Sequence, residues 1–155
     1  MASVTVRHAT IDDASAIVEF QVRMARETQG IELAGPVVQR GVAAVFDDPA
    51  KGAYWVAELD GQIVASLLTV PEWSDWRNAT VCWVHSVYVE PGARRKGVFS
   101  TMYRHLRERV EASADLAGLR LYTEHDNHTA KSVYESLGMS RERYLLYEWL
   151  AGETD

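Results

Sequence analysis

The sequence predicts an α/β protein of the α+β kind, with a mixed, mostly antiparallel sheet and one parallel β-α-β unit. Three observations predict this fold class. The spacing of apolar residues gives the order β-α-α-β-β-β-α-β-α-β along the chain. Asp60-Gly61 separates two apolar runs, as in an antiparallel hairpin. Residues 80–124 read as strand, helix and strand, which is the pattern of a right-handed parallel crossover.

A short strand and a helix begin the chain. Val4 and Val6 alternate with polar residues, as in a strand. The sequence Thr10-Ile11-Asp12-Asp13 resembles a capping box, which starts a helix. We expect this helix to run to about Thr28, because Gly30 is typical of the residue just after a helix end.

A second helix and a hairpin follow. Pro36 suits the first turn of a helix, and Asp48-Pro49 marks its end. The runs 54–59 and 62–70, on either side of Asp60-Gly61, are the two strands of the hairpin. The remaining elements follow from the same spacing: a polar connection at 71–78, a strand at 80–89, a helix from Lys96 to near Gly118, a strand at 119–123, a helix at 127–137 closed by Gly138, and a strand at 143–150.

Length and composition indicate one domain from a reducing compartment. The 155 residues are 47% hydrophobic and contain no linker rich in Pro, Gly or Ser, so a single domain over residues 1–155 is expected. Cys82 is the only cysteine, which excludes an intrachain disulfide and favours the cytoplasm. A net charge of −6 disfavours nucleic acid as a partner. Residues 1–8 lack the apolar core of a signal peptide. The sequence has no run of about 18 apolar residues, so a membrane is not expected as a partner.

A basic turn precedes the helix that follows the strand at 80–89. Arg94, Arg95 and Lys96 lie where a helix N-terminus already favours anions, and we expect no acid nearby to pair with them, so the turn predicts an anion site. Gly97 allows the backbone to approach a pyrophosphate closely. A P-loop is excluded because Val98-Phe99 replaces its Lys-Ser/Thr pair. The alternative is a solvated basic loop without a ligand.

Three motifs in the second half of the chain resemble those of the GNAT superfamily of N-acetyltransferases. Arg94-Arg95-Lys96-Gly97-Val98-Phe99 resembles motif A, Gln/Arg-x-x-Gly-x-Gly/Ala, with Phe99 in place of the usual Gly or Ala. Asn127-x-x-Ala130-x-x-x-Tyr134-x-x-x-Gly138-Met139 resembles motif B. Val87-x-Val89-x-Pro91 is similar to the end of the family's fourth strand. The Phe99 ring either limits access to the nearby amide or turns into the core.

The resemblance implies acetyl-CoA as co-substrate and no metal. In this family the splayed end of the fourth strand offers main-chain groups to the pantetheine arm, and the basic turn holds the pyrophosphate. The residues that match these coenzyme-binding positions are Val87, Tyr88, Val89, Arg94, Arg95, Lys96, Gly97, Val98, Phe99, Ser100, Asn127, Ala130 and Tyr134. A metal site at His125-x-x-His128 is not supported, because no Cys pair or third ligand at a set spacing accompanies the two histidines.

The resemblance also implies catalytic roles for two side chains. Tyr134 matches the family's general acid, which protonates the departing thiolate, and the main-chain N–H of Val87 would polarise the thioester carbonyl. His85 stands where members of the family often carry a Glu, and a neutral imidazole can accept a proton at pH 7. The alternatives are a His85 hydrogen-bonded within the sheet, Asn127 as a helix cap and Tyr134 as a core aromatic.

The acceptor is expected to be the primary amine of a small molecule such as a polyamine or an amino acid. Negative charge can come from Glu27, Glu32, Glu72 and Asp75. An ammonium group can be contacted by cation–π attraction from Trp73, Trp76 and Trp83. The alternative acceptor is a protein N-terminus or lysine. A non-catalytic acyl-CoA sensor is the alternative from another class. Trp73 and Trp76 can equally be loop anchors or part of a dimer contact.

The last predicted strand, 143–150, is rich in aromatic and aliphatic residues. Such a strand needs a neighbour for its main-chain groups and side chains. A homodimer is one arrangement that supplies it.

Overall fold

The computed structural model describes residues 3–153, which form two compact units, 3–121 and 122–153. The first unit contains a five-stranded sheet with helices on both faces. Its elements are β1 Val4–His8, α1 Ala14–Gln29, α2 Gly35–Asp47, β2 Ala53–Leu59, β3 Gln62–Ser74, β4 Ala79–Val89, α3 Val98–Ala112 and β5 Leu116–Arg120. The second unit contains α4, His128–Ser136. That residues 1–155 form one domain stays a prediction.

The strands lie in the order β1-β2-β3-β4-β5. Neighbours are antiparallel except β4 and β5, which are parallel and joined through α3. The predicted hairpin at Asp60-Gly61 and the predicted crossover are therefore confirmed, and the fold class is the α+β class expected from the sequence. One end of this sheet, where β4 leads into α3, carries the basic turn.

The predicted capping box lies before α1, at a short 3-10 turn over Ile11–Asp13. The Asp13 carboxylate accepts a hydrogen bond from the Thr10 N–H at 2.8 Å and another from Arg7 at 2.8 Å. The far end of α1 is closed by Gly30 in the left-handed conformation, with φ 64°. Both limits of the first predicted helix are confirmed to within a few residues.

Each face of the sheet buries its own apolar cluster. On one face, α3 contributes Met102 and Leu106 to a cluster that includes Trp55 and Leu67. On the other face, α1 and α2 pack on the residues of β2 that point the opposite way, and Ile17 is fully buried there. Alternation along the strands thus decides which helix layer each side chain meets.

The polar connection expected at 71–78 is shorter than predicted. β3 continues through Pro71 to Ser74, and only residues 75–78 form the turn before β4. β2 stops opposite Thr69, so this part of β3 has β4 as its only neighbour in the described sheet. A proline is tolerated on such an edge because no second strand needs its missing N–H.

Other boundaries also differ from the prediction. The helix expected to end near Gly118 ends at Ala112, and β5 begins at Leu116 rather than at residue 119. Gly118 itself lies in β5, opposite Val81. A turn at 113–115, in which the Asp115 N–H bonds the Ser113 hydroxyl at 3.2 Å, separates the two elements.

The strand predicted at 143–150 is wrong for the chain as described. These residues follow α4 in the second unit and belong to no helix or strand. The sequence has the composition of a strand, yet a strand exists only where a neighbour accepts its main-chain hydrogen bonds. Composition shows that a segment is suited to a strand, but it does not show whether a neighbouring strand is present.

Candidate active site

The basic turn places two left-handed residues directly before α3. Arg95 has φ 63° and Gly97, the N-cap of the helix, has φ 73°. No side chain caps the helix, and its first main-chain bond runs from the Thr101 N–H to the Gly97 carbonyl. The N–H groups of residues 98–100 therefore have no partner within the helix, and such groups form a natural seat for an anion.

Two of the three cations of this turn are available to such an anion. Arg95 and Lys96 are exposed, and neither makes an ion pair with another residue in the range 3–153. Arg94 is different. Its guanidinium bonds the Glu27 carboxylate at 2.7 Å and the Val89 carbonyl at 2.9 Å. The expectation that all three cations lack a nearby acid is wrong, because α1 brings in an acid 67 residues away in sequence.

The Phe99 ring turns toward the core. It is half-buried, packs against the α3-side cluster and lies 6.4 Å from the Tyr103 ring, centroid to centroid. A Phe at this position of α3 is thus accommodated by packing, and its ring belongs to the interior. Of the two interpretations of Phe99, the structure agrees with the second.

β4 offers an open edge next to this turn. β5 borders β4 only as far as the pair Trp83 and Arg120, so residues 84–89 have no strand on that side within the described sheet. On its other side, β4 has a bulge: Leu68 pairs with His85 and Ser66 with Tyr88, so two residues of β4 face one of β3. Ser86, in the bulge, has φ 54°. Main-chain polar groups at the end of β4 are thus left accessible to a ligand. Bulges are common next to functional sites, where they interrupt strand pairing in this way.

The bulge also puts His85 and Tyr88 on one face of the sheet. Their partners Ser66 and Leu68 lie two residues apart on β3 and share a face. This is the α1 side, because the Tyr88 ring lies 5.2 Å from that of Phe20. His85 therefore lies on the same face of the sheet as α1.

His85 is half-buried and its ring is stacked parallel to that of Trp83, with centroids 5.9 Å apart and planes 3° apart. Burial lowers the pKa of His85 below the ordinary 6.5. The imidazole is therefore neutral at pH 7. A neutral ring in this position is able to accept a proton.

Glu27, expected to bind substrate, is engaged by two neighbours. It accepts a hydrogen bond from the Tyr88 hydroxyl at 3.0 Å and one from Arg94 at 2.7 Å, and the Arg94 guanidinium lies 5.6 Å from the centre of the Tyr88 ring. The hydrogen bond from Arg94, followed by that from Tyr88, lowers the pKa of Glu27. The carboxylate is thus ionised, and it ties α1 to the end of β4. Sequence analysis missed this triad because its members are far apart along the chain.

The other predicted acceptor residues are not all brought together. Trp83 lies with His85, whereas Glu32 bonds Arg26 at 2.6 Å on the surface. Trp73 and Trp76, at the β3–β4 turn, are 64% and 90% exposed.

An ion pair not expected from the sequence borders Trp83. Arg120, opposite Trp83 on β5, lies 2.5 Å from the Glu72 carboxylate. An Arg between two leucines in a strand was the available signal for it.

In the second unit, Asn127 caps α4. Its side-chain oxygen accepts a hydrogen bond from the Ala130 N–H at 3.1 Å, so the interpretation of Asn127 as a helix cap agrees with the structure. Tyr134 is half-buried on α4, and burial raises the pKa of its hydroxyl. The phenol is protonated at neutral pH and can donate a proton. Binding of the coenzyme by Asn127, Ala130 and Tyr134 stays a prediction.

Within residues 3–153, no three His, Cys, Asp or Glu side chains stand close enough together to hold a metal ion. In the same range, no helix has the length and apolar character needed to cross a membrane.

The comparisons with known proteins agree with the geometry. The model of the Acetyltransferase (GNAT) family matches residues 18–139. A possible acetyltransferase from Clostridium difficile 630 is 37% identical, covers 97% of this chain and 99% of its own, and superimposes with a TM-score of 0.89. A comparison with curated protein sequences finds no match.

Two more distant structures share the fold. A predicted acetyltransferase with acetyl-CoA from Clostridium acetobutylicum is 19% identical over 94% of this chain and 96% of its own, with a TM-score of 0.71. Ribosomal-protein-alanine N-acetyltransferase from Brucella melitensis biovar Abortus 2308 is 16% identical over 97% and 100%, with a TM-score of 0.78. With most of its length matched by the family model, this chain belongs to the GNAT family of acetyltransferases.

Proposed function

We propose that this acetyltransferase moves the acetyl group of acetyl-CoA directly to the primary amine of a small molecule, such as a polyamine or an amino acid. The observation that carries the proposal is the bulge in β4. It sets a neutral, half-buried His85 on the α1 side of the sheet, on the strand that has the open edge and leads to the uncapped N-terminus of α3. A proton acceptor and an anion seat thus belong to one short segment of chain.

The coenzyme fits the residues that are present. Arg95, Lys96 and the first N–H groups of α3 supply positive charge and donors for a pyrophosphate. The unpaired edge of β4 at Val87 and Val89 supplies main-chain partners for the amides of the pantetheine arm. Acetyl-CoA, when bound, supplies an acetyl group activated as a thioester.

His85 acts on the amine. An alkylammonium group with a pKa of about 10.4 must lose a proton before it can attack at pH 7, which costs roughly 4–5 kcal/mol. His85, held neutral by burial, accepts that proton directly or through a water molecule. The parallel ring of Trp83 fixes the orientation of the imidazole and offers a π face to the cationic substrate.

Two other groups complete the transfer. The N–H of Val87 donates to the thioester oxygen as negative charge develops on it. The nitrogen–carbon bond forms, the carbon–sulfur bond breaks, and the electron pair of that bond stays on sulfur. The nitrogen, positively charged once its bond to carbon has formed, then loses its second proton to solvent. Tyr134, whose raised pKa keeps its hydroxyl protonated, gives this hydroxyl proton to the sulfur and regains one from solvent.

The position of Trp83 on the α1 side supports a small cationic acceptor. Glu27 and Glu72 both face this side of the sheet, each in an ion pair with an arginine, and Trp83 lies between the positions of Glu72 and Arg120. A partly buried tryptophan beside such pairs suits an ammonium group on a compact molecule.

Release of the coenzyme thiol in the presence of polyamines, amino acids and N-terminal or lysine peptides tests the proposal. We expect saturable turnover with at least one small amine and a lower kcat/KM for every peptide. Higher kcat/KM with a peptide would instead identify a protein acceptor. Calorimetric binding of acetyl-CoA without turnover on the whole panel would indicate an acyl-CoA sensor and overturn the proposal.

A further inference from the structure

An ion pair crosses β4 on the α1 side of the sheet. Arg120 on β5 lies opposite Trp83 on β4, and Glu72 on β3 lies opposite Val81 on β4. Neighbouring strands are about 4.8 Å apart, so β3 and β5 are separated by roughly 10 Å with β4 between them. Nη1 of Arg120 nevertheless lies 2.5 Å from Oε2 of Glu72. The two side chains therefore meet over β4, beside Trp83.

The pair lies on the face of the sheet that carries His85. Trp83 and His85 are two residues apart on β4 and their rings are stacked, so they share a face. Arg120 is level with Trp83 in the parallel ladder and points to the same face. Since a strand rises by about 3.3 Å per residue, the Cα atoms of Arg120 and His85 are roughly 8 Å apart. A small molecule is long enough to contact both side chains.

The pair presents one charge of each sign next to Trp83, and both of its side chains are partly exposed. The planar fork of the Arg120 guanidinium matches the two oxygens of a carboxylate. A second ammonium group, as in a polyamine, would instead be repelled by Arg120, and the charge of Glu72 is already balanced by its partner. The charges therefore match a molecule that carries both an amine and a carboxylate.

We propose that the acceptor is an amino acid whose carboxylate binds Arg120 while its amine lies at His85, an assignment that rests on the proposed acetyl transfer. Glu72 is a positioning residue, because it holds the long Arg120 side chain across β4 before the acceptor binds. The ring of Trp83 contacts the carbon atoms between the two charged groups. Repulsion by Arg120 disfavours acceptors that carry only positive charge.

Amino acids and their carboxamides test this assignment. A carboxamide keeps the amine and the carbon skeleton of the amino acid but has no negative charge. The panel consists of the common amino acids, their carboxamides and spermidine, at saturating acetyl-CoA. For the best acceptor, kcat/KM should be about 10- to 100-fold higher than for its carboxamide, mainly through KM, because hydrogen bonds between charged groups are the stronger ones. Spermidine should be a poorer acceptor than that amino acid.

Variants of Arg120 then show whether this residue causes the preference. Arg120→Gln should bring the ratio of the two kcat/KM values to about 1, and Arg120→Lys, which keeps the charge without the fork, should retain part of the preference. Arg107→Gln is the matched control, because it breaks an ion pair of 2.9 Å with Glu111 on α3, and it should leave the ratio at the parental value. The ratio compares two substrates on one preparation, so it stays valid for a variant that is partly unfolded.

The outcomes separate this assignment from the proposed function. Equal kcat/KM for amino acid and carboxamide in the parent chain, or a ratio that Arg120→Gln leaves unchanged, would overturn the role of Arg120 while acetyl transfer to amines stands. A preference for spermidine over every amino acid would overturn it as well. If the chain binds acetyl-CoA but turns over no amine, the proposed function is wrong, and this assignment is wrong with it.

Discussion

At the scale of single residues, His85 carries the chemistry of the proposed transfer. Its ring is half-buried against Trp83, and burial lowers its pKa. The charged form is therefore disfavoured, and the ring serves as a base over the whole neutral range. A carboxylate would serve in the same role, since in its ionised form it too is able to accept a proton at this pH.

His85→Gln should reduce kcat by about 100-fold with little change in the KM for acetyl-CoA, because general-base catalysis typically contributes 10²–10⁴-fold. His85→Glu should keep a larger part of the activity. In the parent enzyme, the acidic limb of the pH profile should fall with a midpoint below about 6.5, and this limb should disappear in His85→Gln. A His85→Gln variant with parental kcat and pH profile would remove His85 from the mechanism.

Tyr134 is the second residue whose role a single substitution can settle. Tyr134→Phe removes the proton donor and keeps the ring, so kcat should fall by about 10- to 100-fold while acetyl-CoA affinity stays the same. Calorimetry and steady-state kinetics on the same preparation give both numbers. Unchanged turnover would mean that another group, or water, protonates the thiolate.

At the scale of elements, the turn between β4 and α3 combines an uncapped helix with two uncommitted cations. The double variant Arg95→Ala/Lys96→Ala should raise the dissociation constant for acetyl-CoA by about 10-fold or more, and kcat at saturation should change little. Arg104→Ala, which removes an exposed cation further along α3, is the control. If Arg104→Ala raised the dissociation constant for acetyl-CoA equally, the effect would come from the charge of the protein surface as a whole and not from an anion site at the turn.

Two glycines are required for different reasons. Gly97, at the start of α3, has a backbone conformation that favours glycine, whereas Gly52, before β2, has no room for a side chain. A Cβ on Gly97 would meet nothing within 4 Å but would sit at φ 73°, so Gly97→Ala should lower the free energy of unfolding by about 1–2 kcal/mol, and Gly97→Asn by less. A Cβ on Gly52 would lie 2.6 Å from the Thr69 carbonyl oxygen, so Gly52→Ala should cost more. Urea denaturation of the three variants gives the order, and a milder Gly52→Ala would contradict it.

At the scale of the whole molecule, histidines make stability depend on pH. The pKa values of His8 and His85 are both lowered, chiefly by burial. Below about pH 6.5 the unfolded chain therefore binds more protons than the folded one, and the free energy of unfolding decreases as the pH falls. Urea midpoints at about pH 7.5 and 5.5 should show this loss, and His8→Gln/His85→Gln should flatten it. A slope unchanged in the double variant would assign the effect to other groups.

Local signals were enough to predict most of the fold. Asp60-Gly61 between two apolar runs identifies a hairpin because a two-residue turn constrains both strands. The basic turn could also be identified from the sequence, because its cations, Gly97 and the start of the helix are adjacent along the chain. Signals of this kind extend over only a few residues.

Long-range features could not be predicted in this way. The hydrogen bond between Arg94 and Glu27 joins positions 67 residues apart, and no sequence pattern around either residue predicts it. The bulge at Ser86 interrupts a run that reads as a regular strand. The missing strand at 143–150 depends on a neighbour that composition does not specify.

The bulge in β4 has a consequence for how the site can change over time. Deleting one residue at Ser86 would restore regular alternation while Tyr88 stays opposite Ser66 and on the α1 side, so its bond to Glu27 would be kept but the bulge at the end of β4 would be lost. Residues before the bulge, on the face proposed for the acceptor, can be replaced individually, whereas a change in strand length at the bulge would alter the main-chain edge proposed for the coenzyme. We therefore expect variants with new acceptors to arise by substitution in β4 and by insertions or deletions in its flanking turns.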